Sequence, residues 1–268
     1  MLRPWPADDG LLVRLRLPGG RVTRDAFVQL LEIAEEFGDG AVHVTTRTNL
    51  QLRALPAGPC GRLLPSEVEQ AFERTGLLPS RAHDVARNIM ASPQTGLSGG
   101  RADLRPVVAE LDRLLCTEPA LAALPGRFLH VLDDGRGDVL ERTCDLGLVA
   151  LDAERCQLRV GRHWSGVVPL AEAPSLLIEL ALRFLAVRGQ GPGAAWHVHE
   201  LAEPLTVPAP PAPGLPGSRP PLQYGGVPGG LHVPVPASGL TRADLYFLTS
   251  SVLIVTPWRG VLVPPESR

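Results

Sequence analysis

Lysine is absent from this sequence of 268 residues, and all 26 of its basic residues are arginine. Without lysine the chain cannot form a Schiff base, and it cannot contain the phosphate-loop lysine of Walker-type nucleotide hydrolases. Pyridoxal enzymes and these hydrolases are therefore excluded. The net charge of −2 also provides no global basic field that would favour nucleic acid or an anionic membrane as a partner.

Cysteine is scarce as well, and the four cysteines are scattered singly at positions 60, 116, 144 and 156. This spacing is typical neither of a disulfide framework nor of a metal site, so we predict reduced, buried thiols and no metal ligands. Long apolar runs are also missing. Residues 167–187, the most apolar stretch, are interrupted by charges and a proline, and the first ten residues do not resemble a signal peptide. We expect a cytoplasmic protein without a membrane span.

The first eighty residues alternate between strand and helix signals. Residues 11–17 have the two-residue alternation of a half-buried strand, and Thr23 is placed to cap the helix that follows. A long strand is predicted from Val42 to Arg53. Ser66 with Glu69 has the spacing of a capping box that begins a second helix. This β-α-β-α order predicts half of a ferredoxin-like domain, in which helices cover one face of a small sheet.

A second α/β module and a partial repeat of the first pattern are predicted after residue 80. Residues 204–228 are dense in proline and glycine and are predicted to be an extended linker. Beyond them, two short stretches echo earlier ones in order: Gly239–Leu245 echoes Gly20–Ala26, and Leu253–Arg259 echoes Val42–Arg47. The predicted fold is α+β, with domains at residues 1–80, 81–203 and 229–268 and the linker at 204–228.

One face of the predicted first sheet is rich in side chains that bind anions. The alternation places Arg14 and Arg16 on a common face with His43, Thr45, Arg47, Asn49, Gln51 and Arg53. An ordinary solvated face is the alternative, but such a face usually intersperses acids, and none occurs among these residues. Guanidinium groups fit carboxylates and phosphates bidentately. We therefore predict that this face binds an anionic ligand.

Four spaced motifs resemble the sirohaem-dependent sulfite and nitrite reductase family. They occur in order at Leu12–Gly20, Val44–Gln51, Arg87–Pro93 and Leu124–Phe128. The runs Leu124–Leu129, Asp133–Asp138 and Val255–Arg259 are most similar to the precorrin-3B synthase branch of that family. The resemblance implies an oxidoreductase in which ferredoxin-like half-domains flank a nitrite/sulfite reductase-type α/β domain. For the branch, it implies oxygen-dependent hydroxylation and lactone formation on a precorrin in aerobic cobalamin biosynthesis.

The same resemblance implies which residues bind the carboxylates of sirohaem or a related tetrapyrrole. Five positions match acid-binding positions of the family, and Arg127 matches a lysine with the same role. His43 stands where the family tends to have arginine, and Leu129 replaces a second basic residue, which implies a differently decorated ring. No catalytic residue is assigned. The predicted tetrapyrrole- or cofactor-binding residues are Arg14, Arg16, His43, Thr45, Arg47, Gln51, Arg87, Asn88 and Arg127.

The family also holds a [4Fe–4S] cluster through two cysteine pairs that follow the second half-domain. This sequence ends where that segment would begin, and its single cysteines lack the short spacings that a cubane requires. We therefore expect that this chain alone does not ligate the cluster. A truncated gene, a split enzyme whose cluster half is a separate polypeptide, and a cluster-free descendant remain open. A sulfite or nitrite reductase half and a non-catalytic tetrapyrrole-binding subunit are the alternative functions.

Two smaller signals receive structural interpretations. His197 and His199 form a His-x-His pair with no third ligand nearby in the sequence, which favours a structural or exposed pair over a metal site. The run Asp133–Asp138 lacks the ligand spacing of a calcium loop and is predicted to be a hairpin turn between strands.

Overall fold

The computed structural model describes residues 3–59 and 61–266 and divides the chain into two compact units. The first unit is discontinuous and contains Met1–Asp84 and Leu222–Arg268, whereas the second contains Val85–Pro221. The α-helices of the described residues are α1 (Arg24–Phe37), α2 (Ser66–Arg74), α3 (Arg105–Thr117) and α4 (Ala173–Val187). None of these helices combines the length and apolarity needed to cross a bilayer.

The strands follow the chain from end to end. They are β1 (Trp5–Ala7), β2 (Gly10–Leu15), β3 (Arg21–Thr23), β4 (His43–Val44), β5 (Leu50–Leu55), β6 (Ile89–Ala91), β7 (His130–Asp133), β8 (Leu146–Ala150), β9 (Arg155–Val160), β10 (His163–Pro169), β11 (Gly225–Val227), β12 (Gly230–Pro234), β13 (Val252–Thr256) and β14 (Gly260–Val263).

The first unit contains two antiparallel sheets with the same strand arrangement. One sheet has the order β1-β2-β5-β4, and the other has the order β11-β12-β14-β13 with β3 added at its edge. In each sheet, the chain first forms an outer hairpin, β1-β2 or β11-β12. A second hairpin follows, and its later strand, β5 or β14, pairs with the inner strand of the first hairpin. This shared order is what a duplicated half-domain would produce. A single apolar core lies under both sheets and includes Phe27, Leu50 and Val255.

The strand predicted from Val42 to Arg53 is two strands joined by a tight turn. β4 pairs antiparallel with β5, so that His43 lies opposite Gln51. The turn is closed by the Thr45 N–H, which donates to the Asn49 carbonyl at 2.9 Å, and Thr48 adopts a left-handed φ of 55°. The prediction was wrong here because the turn contains neither glycine nor proline, and its threonines continue the alternation expected of a strand.

The predicted caps have different outcomes. Thr23 caps α1 as predicted, with its hydroxyl oxygen accepting a hydrogen bond from the Ala26 N–H at 3.2 Å. The capping box at Ser66 was wrong, because Ser66 is already the first helical residue and α2 follows Pro65 without a side-chain cap. Pro65 has an extended backbone, ψ 149°, that suits the residue before a helix.

The second unit is built on one mixed sheet of order β10-β9-β8-β7-β6. Strands β6, β7 and β8 are parallel, and β9 and β10 are antiparallel to their neighbours. Helices α3 and α4 contribute to its apolar core, in which Phe128 and Phe184 lie 4.8 Å apart between ring centroids. Asp133–Asp138 was predicted to form a hairpin turn, but it begins the crossover between the parallel strands β7 and β8. The correction follows from the parallel pairing, because a hairpin can join only antiparallel strands.

The predicted linker is extended, but much of it packs on the second unit. Ala209 forms a bridge with Trp164, and the amide of Gln157 clamps the segment by donating to the Pro210 carbonyl and accepting from the Ala212 N–H. The Arg219 N–H donates to the Gly137 carbonyl at 2.9 Å. Because proline lacks an N–H, the segment is held through carbonyls and a few amides. We call residues 209–219 the strap.

Candidate anion-binding site

A row of polar side chains crosses the first sheet of the first unit. The strand register places Arg14 opposite Gln51 on β5, and Gln51 opposite His43 on β4. Their neighbours along the strands, such as Val13 and Leu50, are buried in the core. The row therefore lies on the face that points away from the core, with Arg14 exposed and the other two half-buried.

Arg47 and Arg16 extend this row at the turn between β4 and β5. Arg47 lies inside the turn, and Asn49 ties the turn to the segment after β2, because its side-chain oxygen accepts from the Leu17 N–H at 3.0 Å. The Asn49 N–H in turn donates to the Thr45 hydroxyl oxygen at 3.1 Å. The Thr45 hydroxyl still has its own proton to donate. The turn thus presents Thr45 and Arg47 next to the end of β2.

Arg16 is buried among charges of its own sign. Only 8% of the residue is exposed, and burial is the largest cause that lowers the pKa of its guanidinium to about 10. Arg14 and Arg47 lower this pKa further, whereas the Asp84 carboxylate raises it. Arg16 stays charged at neutral pH, so three guanidinium groups approach one another with Asp84 as an opposing charge. We call Arg14, Arg16, Arg47, Thr45 and Gln51 the arginine face.

Acids do lie near this surface, and they come from outside the strand residues on which the prediction was based. His43 Nε2 lies 2.7 Å from Asp39 Oδ2, and Arg53 Nε donates to Asp9 Oδ2 at 2.9 Å. The acids come from loops that flank the strands, which is why the strand sequences alone did not show them. The hydrogen bond to Asp9 raises the pKa of Arg53. At the border of the arginine face, Arg53 is therefore neutralised by Asp9, and His43 is hydrogen-bonded to Asp39.

The predicted site residues of the second unit have internal partners or remain exposed. Arg87 is buried and binds Asp112 with two hydrogen bonds of 2.7 and 2.8 Å, which occupy one edge of its guanidinium. Asn88 is fully buried, and its side-chain amide donates to the Phe128 carbonyl at 3.1 Å. Arg127 is exposed. A role for these three residues in ligand binding stays a prediction, and Arg87 and Asn88 also hold the second unit together.

Two residues that shape the turn were missed at the sequence level. Gly20 has a left-handed φ of 73°, and a Cβ there would lie 2.4 Å from the Val255 carbonyl oxygen and 3.2 Å from Thr48 Cβ. Thr48 is buried, and its hydroxyl oxygen has no hydrogen-bond partner among the described residues. The two consecutive glycines after β2 were a visible sequence signal that another part of the backbone approaches closely there. Asp84 carried no such signal, because it lies far from Arg16 in the chain.

The described cysteines do not fit a [4Fe–4S] cluster. Cys144 and Cys156 are buried, and burial raises the pKa of each thiol to about 12, which disfavours the thiolate that binds iron. Cys116 is only half-buried, contrary to expectation, and Cys60 lies outside the described residues. Within residues 3–59 and 61–266, no group of three or more His, Cys, Asp or Glu side chains is arranged to hold a metal ion. The donors of the arginine face, by contrast, suit the carboxylates of a tetrapyrrole.

Comparison with known protein families identifies the segment that carries this face. The family described as nitrite/sulfite reductase ferredoxin-like half domain matches residues 6–58, which include β2, the turn and β5. Residues 6–58 are therefore similar to this half domain. The resemblance predicted from the sequence motifs is confirmed, and every residue of the arginine face lies inside the half domain.

Beyond the half domain, the chain is similar to longer proteins of related activities. It is 32% identical over 138 residues to a precorrin-3B synthase of Sinorhizobium sp, covering 50% of this chain and 28% of that protein. It is 30% identical over 131 residues to a ferredoxin–nitrite reductase of Leptolyngbya laminosa, covering 46% and 25%. It is 34% identical over 86 residues to a sulfite reductase [ferredoxin] of Synechococcus elongatus, covering 32% and 13%.

The fold agrees with that of a solved structure. The NirA protein of Mycobacterium tuberculosis superposes with a TM-score of 0.67 at 18% identity, over 98% of this chain and 57% of that one. The predicted α+β class, with a reductase-type fold around the half domain, is therefore confirmed. The matched regions amount to just over half of the solved chain and less than a third of each curated relative.

Proposed function

We propose that this chain is the tetrapyrrole-binding part of an oxidoreductase most like precorrin-3B synthase. The observation that carries the proposal is the gathering of Arg14, Arg16 and Arg47 near the end of β2. Burial is the main cause of the lowered Arg16 pKa, Arg14 and Arg47 lower it further, and Asp84 opposes them. Bringing like charges together on one sheet is unfavourable unless an anion relieves their repulsion. A ring with several peripheral carboxylates is such an anion, and the relatives of this half domain include a precorrin-3B synthase.

The residues of the arginine face have separable tasks in this proposal. Arg14 and Arg47 bind carboxylates through charge-assisted hydrogen bonds, and Gln51 donates from its amide between them. Arg16 is buried, so it acts as a fixed charge behind the other two and holds them oriented toward the ligand. Asp39 fixes the ring of His43 at the border. When bound, a sirohaem-type ring would supply the redox chemistry, while this chain positions the ring.

We further propose that the cluster chemistry of the full reaction depends on cysteines other than the ones described here, such as those of a separate polypeptide. The raised thiol pKa values of Cys144 and Cys156 support this separation. The free thiols also support a cytoplasmic location. The similarity to nitrite and sulfite reductases keeps a reductase half as the second candidate function.

A titration with metal-free porphyrins tests ring binding. Uroporphyrin bears carboxylates on every peripheral side chain, whereas mesoporphyrin has a similar ring with far fewer. We expect uroporphyrin to bind at least about tenfold more tightly by Soret absorbance, and salt to weaken this preference because exposed charges are screened. Equal affinity for both rings, or no binding by a chain with an intact circular dichroism spectrum, would contradict the proposal.

Anaerobic reconstitution with sirohaem, iron and sulfide separates the candidate roles. A Soret band without cluster absorbance is expected for this chain alone. Cluster absorbance appearing only when a cysteine-rich polypeptide is added would support a split enzyme. If the chain assembled a cluster by itself, the interpretation of its cysteines as structural would be wrong. Reduction of sulfite or nitrite by the completed protein, without turnover of a precorrin, would favour the reductase half.

A further inference from the structure

Three buried carboxyl groups lie together in the second unit, where β7 ends. Asp133 is the last residue of β7, and Asp134 and Asp138 follow within the same loop. Ser92, which directly follows β6, contacts this group, so the cluster closes the carboxyl edge of two parallel strands. Asp133 and Asp134 are at most 1% exposed, and the side chain of Asp138 is 8% exposed.

Two of the three carboxylates have close hydrogen-bond donors, and burial still raises the pKa of Asp133. Asp133 accepts hydrogen bonds from the backbone N–H groups of Gly135 and Gly137 at 2.9 and 2.8 Å, and a longer one from Val139. Asp134 binds Arg136 through both carboxylate oxygens, at 2.8 and 2.7 Å. The other N–H groups of Arg136 donate to neutral oxygens of the segment after β6. The single guanidinium of the loop is thus already committed to Asp134.

Asp138 shares the Arg136 guanidinium only through a long ion pair. Its Oδ1 accepts from the Ser92 hydroxyl at 2.7 Å, but its Oδ2 lies 3.8 Å from Arg136 Nε, beyond hydrogen-bond distance. Burial, followed by the charge of Asp133, raises the pKa of Asp138 to about 7. The charged form is therefore disfavoured in the folded protein.

The strap packs directly on this loop. A Cβ at Gly137, which has a left-handed φ of 85°, would lie 2.1 Å from the Gly217 carbonyl oxygen. The Gly137 carbonyl accepts from the Arg219 N–H, and Arg101 packs on Gly135 while donating to the Gly214 carbonyl. The side chain of Arg219 is exposed. Gly137 therefore links the acid cluster to the strap. Its N–H donates to Asp133, its carbonyl accepts from the strap, and Asp138 is the next residue in the chain.

We propose that protonation of Asp138 controls docking of the strap on the second unit. With Asp138 neutral, Asp133 keeps its backbone donors and Gly137 stays in place for Arg219. When Asp138 ionises, it repels Asp133, and its 3.8 Å ion pair with Arg136 only partly offsets this repulsion. The movement that relieves the repulsion displaces Gly137. The strap is then held less tightly in alkaline solution than in mildly acidic solution. This inference does not depend on tetrapyrrole binding.

Hydrogen exchange of the strap amides directly measures how tightly the strap is docked at each pH. The N–H groups of Ala212, Leu215 and Arg219 are hydrogen-bonded in the docked strap. After correction for intrinsic exchange rates, we expect them to exchange roughly tenfold faster at pH 8 than at pH 6, corresponding to one pKa unit of linkage. Amides of β8 in the same unit serve as the internal reference. Equal protection of the strap at both pH values would overturn the proposal.

Two variants, Asp138→Asn and Ser92→Ala, and one control, Asp152→Asn, test whether Asp138 causes the pH dependence. Asp138→Asn imitates the neutral acid and should keep the strap protected at pH 8, whereas Asp152→Asn, which changes an exposed carboxylate, should behave like the wild type. Ser92→Ala removes the hydrogen bond that favours the ionised form and should move the midpoint of the transition to higher pH. If Asp138→Asn does not fold, the Ser92→Ala midpoint still decides. Persistence of the pH dependence in folded Asp138→Asn, or an unmoved midpoint in Ser92→Ala, would contradict the assignment.

Discussion

Arg16 and Arg87 are both buried guanidinium groups, but they are neutralised differently. Arg87 has a bidentate carboxylate partner in Asp112, an arrangement typical of a structural ion pair. Arg16 instead has Asp84 set against two neighbouring guanidinium groups. The family resemblance implied a tetrapyrrole-binding role for both residues. The structure distinguishes them, because Asp112 lies 25 positions from Arg87 and the sequence shows no sign of their ion pair. The ligand-binding role is therefore best argued for the arginine face.

Arg47→Gln is expected to weaken uroporphyrin binding. The substitution removes a charge-assisted hydrogen bond worth about 1.5–3 kcal/mol, or roughly a 10- to 150-fold increase in Kd. Isothermal titration calorimetry at fixed ionic strength measures this change. Arg113→Gln is the matched control, because Arg113 is an exposed arginine of the second unit that pairs with Glu110. Equal affinities of the two variants would remove Arg47 from the site.

His130 is expected to limit stability in acid. It is fully buried, neither ring nitrogen has a hydrogen-bond partner among the described residues, and burial lowers its pKa to about 4. Between pH 6.5 and 4 the unfolded chain gains a proton that the folded chain does not, so stability falls by up to about 3 kcal/mol as the pH drops. His130→Leu should remove this part of the pH dependence of the unfolding free energy. An unchanged slope in urea titrations would contradict the assignment.

The β4–β5 hairpin shows what the sequence could predict at the scale of an element. The alternation correctly identified polar positions on β2 and β5, because the row of Arg14 and Gln51 follows from the two-residue period. It missed the reversal at Thr45–Asn49, since that turn is stabilised by contacts from other segments. Asn49 binds the backbone of Leu17, and Gly20, which itself lies against the Val255 carbonyl, is close to Thr48 of the turn. Contacts between distant segments have no local signature, so a strand was predicted where the chain turns.

Gly20→Ala tests the close packing of this turn. A Cβ at residue 20 would clash with the Val255 carbonyl, so we expect a loss of at least about 2 kcal/mol in unfolding free energy and weaker ring binding. Gly40→Ala is the matched control, because Gly40 also has a positive φ, 80°, but no atom lies within 4 Å of the position that a Cβ would take there. Equal destabilisation of both variants would show that backbone conformation, not packing, determines the effect.

At the scale of the whole molecule, the chain forms two units, and the residues of the continuous unit interrupt the sequence of the discontinuous one. The two short sequence echoes were the visible sign of the repeated sheet order in the first unit, and the four family motifs predicted the reductase-type fold that the NirA superposition confirms. The strap was predicted only as an extended segment. Its docking depends on Gln157, Trp164 and Gly137. These residues contribute one or two hydrogen bonds each from separate strands and loops, so composition alone could not show the docking.

The most direct test of the central claim observes the arginines themselves. In a protein without lysine, the Nε–H signals of the 26 arginines can be followed by NMR during addition of uroporphyrin. We predict that Arg14, Arg16 and Arg47 shift together with one shared affinity, and that the exposed Arg113 and Arg155 do not. Shifts confined to arginines outside the arginine face, or three different affinities for the three residues, would contradict a single polycarboxylate site.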